Sequence, residues 1–360
     1  MGRIRGNVQY VAQSLELVLA VSGVPNEAML GPRANDVTLR AWSRDGSLVL
    51  ELRMPNDEPA DAVAVQGKLA AVGTRDGDVY LVNLLSGAVL HSLQGHTGYI
   101  RTVVIEDEVV LSGSSDGTIR IWDKASGDCI QTILAGGVTV CGLATHENFV
   151  VAGLYDQATG VRVFDRTTGK KCHELHDASE EVFSVAMNGR HMVSASRDRM
   201  VRVYAVPSFE LVHVLQGHSD VVHAVALEED LVVSGSYDHT VRVWDAIKGD
   251  QLHVLLGHSG RVLSVSLRGV VIVSGSADKN VRVWNANTGA LEHVLSGGEH
   301  RTPISKVLAP ERRTHVTTGS RLSSLFTSSV RLSTATSILD DQHLDEGETK
   351  TRKTWSCAVQ

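Results

Sequence analysis

Twelve residues, "SGSYDHTVRVWD" at 234–245, return as "SGSADKNVRVWN" at 274–285 and stand earlier as "SGSSDGTIRIWD" at 112–123. Weaker copies fill the gaps. The last apolar residue of each copy is Trp42, Val82, Trp122, Phe164, Tyr204, Trp244 or Trp284, at successive spacings of 40, 40, 42, 40, 40 and 40. Seven units at one period constrain the fold more than any other feature. A unit of this length cannot bury both of its faces alone, so it must stack against copies of itself.

Each unit reads as short strands. In 221–255, "VVHAVAL", "LVVSGS", "VRVWDA" and "QLHVL" are apolar and β-branched, and Asp, Gly and Lys punctuate them. Four strands per unit and a period near 40 define a radial array. The expected fold is all-β: a closed seven-bladed β-propeller of four-stranded antiparallel blades over residues 6–295. The series opens on a first strand and ends on a fourth, so the ring is expected to close by packing without strand exchange. Gly87, Gly127, Gly169, Gly249 and Gly289 each stand five residues after the aromatic position, where a turn with positive φ is expected.

Aromatic residues make up only 4% of the 360, so Val, Leu, Ala and Ile must build the core. The net charge of −7 argues against a general nucleic-acid binder. No apolar run reaches membrane-spanning length, and no secretory signal is read. Cys129, Cys141, Cys172 and Cys357 show no metal-ligand spacing and read as reduced thiols. The expected location is cytoplasmic, with nuclear or peripheral membrane association as alternatives. No cofactor and no metal are expected.

Gly-His stands at 95–96, 217–218 and 257–258, and Trp-Asp at 122–123 and 244–245. With the 40-residue period, these pairs resemble the WD-repeat family over nearly all of 6–295. Three units hold His, Ser, Asp and Trp at identical offsets: His96, Ser112, Asp116, Trp122; His218, Ser234, Asp238, Trp244; and His258, Ser274, Asp278, Trp284. A nucleophilic triad would be built once, beside an oxyanion hole and a pocket, so catalysis is not expected. The resemblance implies instead a structural hydrogen-bond chain from indole through hydroxyl and imidazole to carboxylate. Ala178 and Gly136 break this set in two other units, and those blades are expected to rest more on apolar packing. The recurring Arg120, Arg162, Arg202, Arg242 and Arg282 read as architectural.

Function is expected where the units differ. Two positions per unit should rim the central channel: the residue before the turn Asp, and the residue 15 before that Asp. The first set reads Arg75, Ser115, Tyr155, Arg197, Tyr237 and Ala277. The second reads Asp61, Arg101, Cys141, Phe183, His223 and Leu263. The candidate partner-binding residues are Arg75, Arg101, Tyr155, Phe183, Arg197, His223 and Tyr237. Arg75 and Arg101 are the expected main anion-binding pair, and Arg197 and His223 the secondary one. The short inner hairpins "EDEVV", "EEDLV" and "RGVVI" resemble those of F-box/WD-repeat substrate receptors, in which arginines at matching positions hold a phosphorylated peptide. No adaptor-binding helices are read ahead of the first unit.

The pattern lapses after Leu295. Residues 314–337 hold thirteen Ser or Thr, and residues 338–348 are acidic. Residues 296–360 read as a largely disordered tail, with a degenerate eighth blade over about 302–335 as the alternative. The final Cys357-Ala358-Val359-Gln360 fits a prenylation motif, with Cys357 as the lipidated thiol and weak membrane association as the result. The expected function is a non-enzymatic scaffold that binds peptide segments of partner proteins on the channel face, acidic or phosphorylated segments among them. The alternative is the substrate-recognition subunit of a ubiquitin ligase, partnered by a ligase adaptor.

Overall fold

The computed structural model describes residues 7–13, 17–23, 38–43, 47–55, 59–157 and 160–296. The expectations about the tail, the eighth blade and Cys357 lie outside these residues. The described chain forms 28 strands in seven four-stranded antiparallel sheets. The blades occupy residues 7–53, 60–93, 100–134, 140–175, 182–215, 222–255 and 262–296. Each sheet is filled in chain order, from an innermost first strand to an outermost fourth. Among the described residues no α-helix is present. Cys129 and Cys141 carry free thiols.

The core is divided by joints. Seven apolar clusters each combine residues of two neighbouring blades. The cluster between blades five and six sets Val193, Val203 and Leu215 against Val222, Val232 and Trp244. The next-to-last residue of each third strand packs on the preceding blade. Trp122 meets blade two, Phe164 blade three, Tyr204 blade four and Trp284 blade six. Trp42 closes the ring on blade seven, among Val273, Val281, Val283 and Leu295. The Gln13 amide adds a 3.1 Å bond to the Val271 carbonyl. Among the described residues, closure therefore rests on packing and this bond, with no strand exchanged between blades one and seven.

Two glycine positions show why the phrase tolerates little change. A Cβ on Gly235, in the middle of "SGS", would lie 2.7 Å from Cγ1 of Val262 and 2.8 Å from Cγ1 of Val265 on the next blade. Gly249 has φ +76°, as its turn requires. It also faces His213 of the preceding blade, whose Nε2 bonds the Ile247 carbonyl at 2.8 Å. His253 bonds Asn287 in the same way at 3.0 Å. These two outer imidazoles, in "LVHVL" and "QLHVL", pin their outer strands to the next turn, whereas Nε2 of His293 in "LEHVL" has no hydrogen-bond partner among the described residues.

The end of the ring opposite the third-strand entry turns is sewn across its joints. Gln66 bonds Asp107, Arg166 pairs with Glu106 at 2.6 Å, and Asn188 bonds the Glu229 carbonyl at 2.7 Å. The other end carries the turns that precede the third strands.

Candidate functional site

The repeated phrase builds the frame of that end. Trp244 Nε1–H donates to Ser234 Oγ at 2.8 Å. Ser234 Oγ meets His218 Nε2 at 2.8 Å, and His218 Nδ1 meets Asp238 Oδ2 at 2.8 Å. An aspartate can only accept, so the imidazole proton sits on Nδ1, and the serine hydroxyl donates to the bare Nε2. The sets around Trp122 and Trp284 repeat this chain at 2.8 to 2.9 Å. All three serines are fully buried, so no substrate reaches them as nucleophiles. Burial lowers the His96 and His258 pKa more than the Asp partners raise it, so both rings are neutral near pH 7.

The aspartate ends the chain and fixes the turn. Asp238 accepts the backbone N–H of Thr240 at 2.9 Å and that of Ser219 at 3.1 Å. The residue before each turn Asp is thereby held in place. In the fifth blade, which lacks the histidine, a guanidinium takes its place on the aspartate. Arg202 grips Asp198 with two bonds of 3.1 and 2.7 Å where Ala178 leaves room. Arg162 fills the space at Gly136, where a Cβ would lie 2.1 Å from Nη1. The decayed blades therefore do not fall back on apolar packing alone. The five recurrent arginines are each engaged by a side chain of their own blade.

Rim residues stand on this frame in three rings. The backbone N–H of each residue before the turn Asp bonds a first-strand entry carbonyl: Arg75 to Pro59, Ser115 to Tyr99, Tyr155 to Thr139, Arg197 to Glu181, Tyr237 to Val221 and Ala277 to Arg261. The residues two further along the first strand line a channel of about 210 Å³, among them Arg101, Cys141, Phe183, His223 and Leu263. Both expected sets are thus at the mouth. The Pro59–Arg261 set is a third ring that the sequence reading missed. The signal was there, because Arg261 and Leu263 alternate along one strand and share a face.

The structure regroups the candidates. Arg75 Nε lies 2.9 Å from Asp61 Oδ2, and Arg101 lies 3.7 Å from the same buried oxygen. The expected main anion pair already shares one carboxylate. Tyr155, Phe183, His223 and Tyr237 instead form an arc across blades four to six. Tyr155 and Phe183 are tilted with centroids 6.1 Å apart. His223 is stacked between Phe183 at 5.2 Å and Tyr237 at 5.4 Å. Arg261 caps the arc, 4.8 Å over the Tyr237 ring. His223 Nδ1–H donates to the Leu263 carbonyl at 2.7 Å. Burial pushes its pKa down to about 4, so it brings no charge to an anion near pH 7. Burial likewise raises the Cys141 thiol to about 11, despite Arg101 beside it, so it is not a thiolate at neutral pH. Among the described residues, no group of three His, Cys, Asp or Glu side chains is placed to hold a metal ion.

Residues 87–123, 169–205, 209–245 and 249–285 match the family model for the WD domain, G-beta repeat. Each matched stretch straddles two blades, from a turn glycine or its equivalent to the residue after the next third-strand aromatic. With seven closed blades and three complete His–Ser–Asp–Trp chains, this protein is a seven-bladed β-propeller that carries four WD repeats. Over 194 residues it is 27% identical to Autophagy-related protein 16 of Arabidopsis thaliana, covering 52% of this chain and 38% of that one. Over 184 residues it is 29% identical to F-box/WD repeat-containing protein 9 of Homo sapiens, covering 46% and 39%. Over 159 residues it is 30% identical to Pre-mRNA-processing factor 19 of Bos taurus, covering 40% and 30%. The matched part spans less than two fifths of each of these relatives. The WD40 propeller domain of Doa1 superimposes with a TM-score of 0.67 at 22% identity, covering 78% of this chain and 92% of that one. That likeness concerns the fold alone.

Proposed function

We propose that this propeller is a non-enzymatic scaffold that binds segments of partner proteins across the mouth of its channel. The observation that carries this reading is the contrast between frame and rim. Equivalent frame positions hold Ser and Trp in three blades, whereas equivalent rim positions change from blade to blade and include Tyr, Arg, Cys, Phe and His. Tyr99 and Tyr155 are about half exposed there, at 52% and 50%. Amphipathic rings on a rigid support give large contact area at small entropic cost.

The test is quantitative affinity capture with Tyr99→Ala/Tyr155→Ala, set beside Val212→Ala on the outermost strand of the fifth blade, where Val212 is 45% exposed. The rim variant should lose partners that wild type and the outer variant retain, at an unchanged melting temperature. An identical partner set from all three would contradict the proposal.

A second reading is a substrate-recognition subunit of a ubiquitin ligase that reads acidic or phosphorylated degrons. Similarity to an F-box/WD repeat-containing protein supports it. Recovery of cullin or adaptor subunits in the same capture would favour it, and their absence would count against it.

A further inference from the structure

The hairpins opposite the mouth are tied across one joint and left open at the next. Between blades five and six, Arg190 reaches Asp230 at 3.3 Å and Asn188 bonds the Glu229 carbonyl at 2.7 Å. One period further on, Asp230 and Val270 hold the places of Arg190 and Asp230. A carboxylate and an isopropyl group form no bond, and Asp230 already turns Oδ2 back to Arg190. Among the described residues, the hairpins of blades six and seven share one hydrogen bond, from the Gly269 N–H to Glu228 Oε2 at 2.6 Å.

The space so left is a groove of about 410 Å³. Leu231, Leu252 and Val270 give it apolar walls, and Leu252 and Val270 are exposed at 46% and 37%. Glu228, Glu229, Asp230 and Asp245 line it as well, and no lysine or arginine does. Asp245 commits Oδ1 to the N–H groups of Ile247 and Lys248, which leaves Oδ2. The Glu229 side chain is exposed and makes no hydrogen bond or ion pair among the described residues. Arg190 on Asp230, and Lys248 at 4.0 Å from Asp245, offset part of this charge from outside the lining, and both are largely exposed. An excess of negative charge beside exposed aliphatic walls repels phosphate-bearing surfaces and attracts a cation that carries apolar surface with it.

We propose that this groove is a second docking site, at the end away from the mouth, for a protein segment that carries an aliphatic side chain beside a Lys or Arg. The aliphatic side chain covers Leu252 and Val270, and the cation meets Glu229 and the open oxygen of Asp245. A groove of this size takes one or two side chains. The contact is therefore weak alone and adds to one that the same partner makes elsewhere.

The test uses the full chain and labelled Gly/Ser peptides with a central Leu-Arg, Leu-Gln, Leu-Glu or Ser-Arg pair, followed by fluorescence anisotropy at low and high salt. The Leu-Arg peptide should bind tightest, and less tightly as salt rises. Glu228→Gln/Glu229→Gln should weaken it about fivefold, the size of exposed charge contacts. Val270→Arg sets a guanidinium in the groove, as Arg190 does one joint earlier, and should abolish binding. Leu252→Ser removes an apolar wall by a change at an exposed position, so it reads the groove even if Val270→Arg lowers the melting temperature. Glu147→Gln removes the same charge from the exposed hairpin of blade four and should leave binding unchanged. Equal binding of the four peptides, or an equal loss in Glu147→Gln, would overturn the groove. So would binding that neither Leu252→Ser nor the glutamine pair weakens. Tyr99→Ala/Tyr155→Ala should bind the peptide as the wild type does. A loss there would move the peptide to the mouth and overturn the groove, while supporting the reading of the mouth.

Discussion

At the scale of single residues, the same histidine serves two ends. In the frame, an imidazole passes a hydrogen bond from a buried serine to the aspartate that holds a rim turn. It does so only while neutral, with Nδ1 protonated and Nε2 bare. Burial keeps His96 and His258 below the ordinary 6.5, and it pushes His223 to about 4. As pH falls below 6.5, the unfolded chain takes up these protons before the folded one does. Stability is therefore full above that pH and declines beneath it. The aspartates act lower. Burial alone would raise the Asp116 carboxyl, but bonds from Thr118, His96 and the Thr97 backbone outweigh it and hold the pKa near 2, against an ordinary 3.8. Asp238 and Asp278 are depressed in the same direction. Their stabilisation is present above 3.8 and is lost as pH falls through the folded values. The melting temperature should thus decline in two stages, gently below pH 6.5 and steeply below 4. A melting temperature that stays flat from pH 7.5 to 4.5 would contradict the neutral imidazole chain.

At the scale of elements, the joint is the unit of stability, not the sheet. Each third-strand aromatic belongs to the core of the blade before its own, so substitutions in one blade act on a neighbour. Gly235 tests this. A valine there would thrust its side chain into Val262 and Val265 of the next blade. Overpacking of this kind costs about 1–3 kcal/mol. Gly235→Val should lower the unfolding free energy by that amount, read from denaturant curves, and Gly235→Val/Val262→Ala should recover part of it. An additive double variant would show that the two blades do not share the contact. Strands, turns and blade number were legible in the sequence because period 2 within strands and period 40 between them are both written in apolar residues. The offset of Trp122 or Trp244 onto the preceding blade was not legible, since periodicity gives the face of a strand and not the neighbour it meets. The same holds for Arg202 on Asp198: the sequence shows the missing histidine at Ala178, but a long side chain can reach several partners.

At the scale of the whole molecule, a repeated frame carries an unrepeated rim. Position alone placed Arg75, Arg101, Tyr155, Phe183, Arg197, His223 and Tyr237 at the mouth. Their chemistry depended on neighbours from other blades, which spacing could not supply. Asp61 occupies the arginine pair, and Arg261 completes the aromatic arc from a third ring. One end of the propeller is tied across its joints by Gln66, Asn188 and Arg166, whereas the other presents rim arginines and half-exposed tyrosines. The separation of frame from rim is the central claim, and it is tested most directly on one chain carrying Tyr99→Ala, Tyr155→Ala, Arg197→Gln and Arg261→Gln together. Its melting temperature and its partner capture are measured side by side. Exposed substitutions away from caps and cores each shift stability by within about 0.5 kcal/mol. The melting temperature should therefore stay close to that of the wild type while partner capture is lost. Capture that survives in this variant, or a collapse of the fold, would contradict the claim.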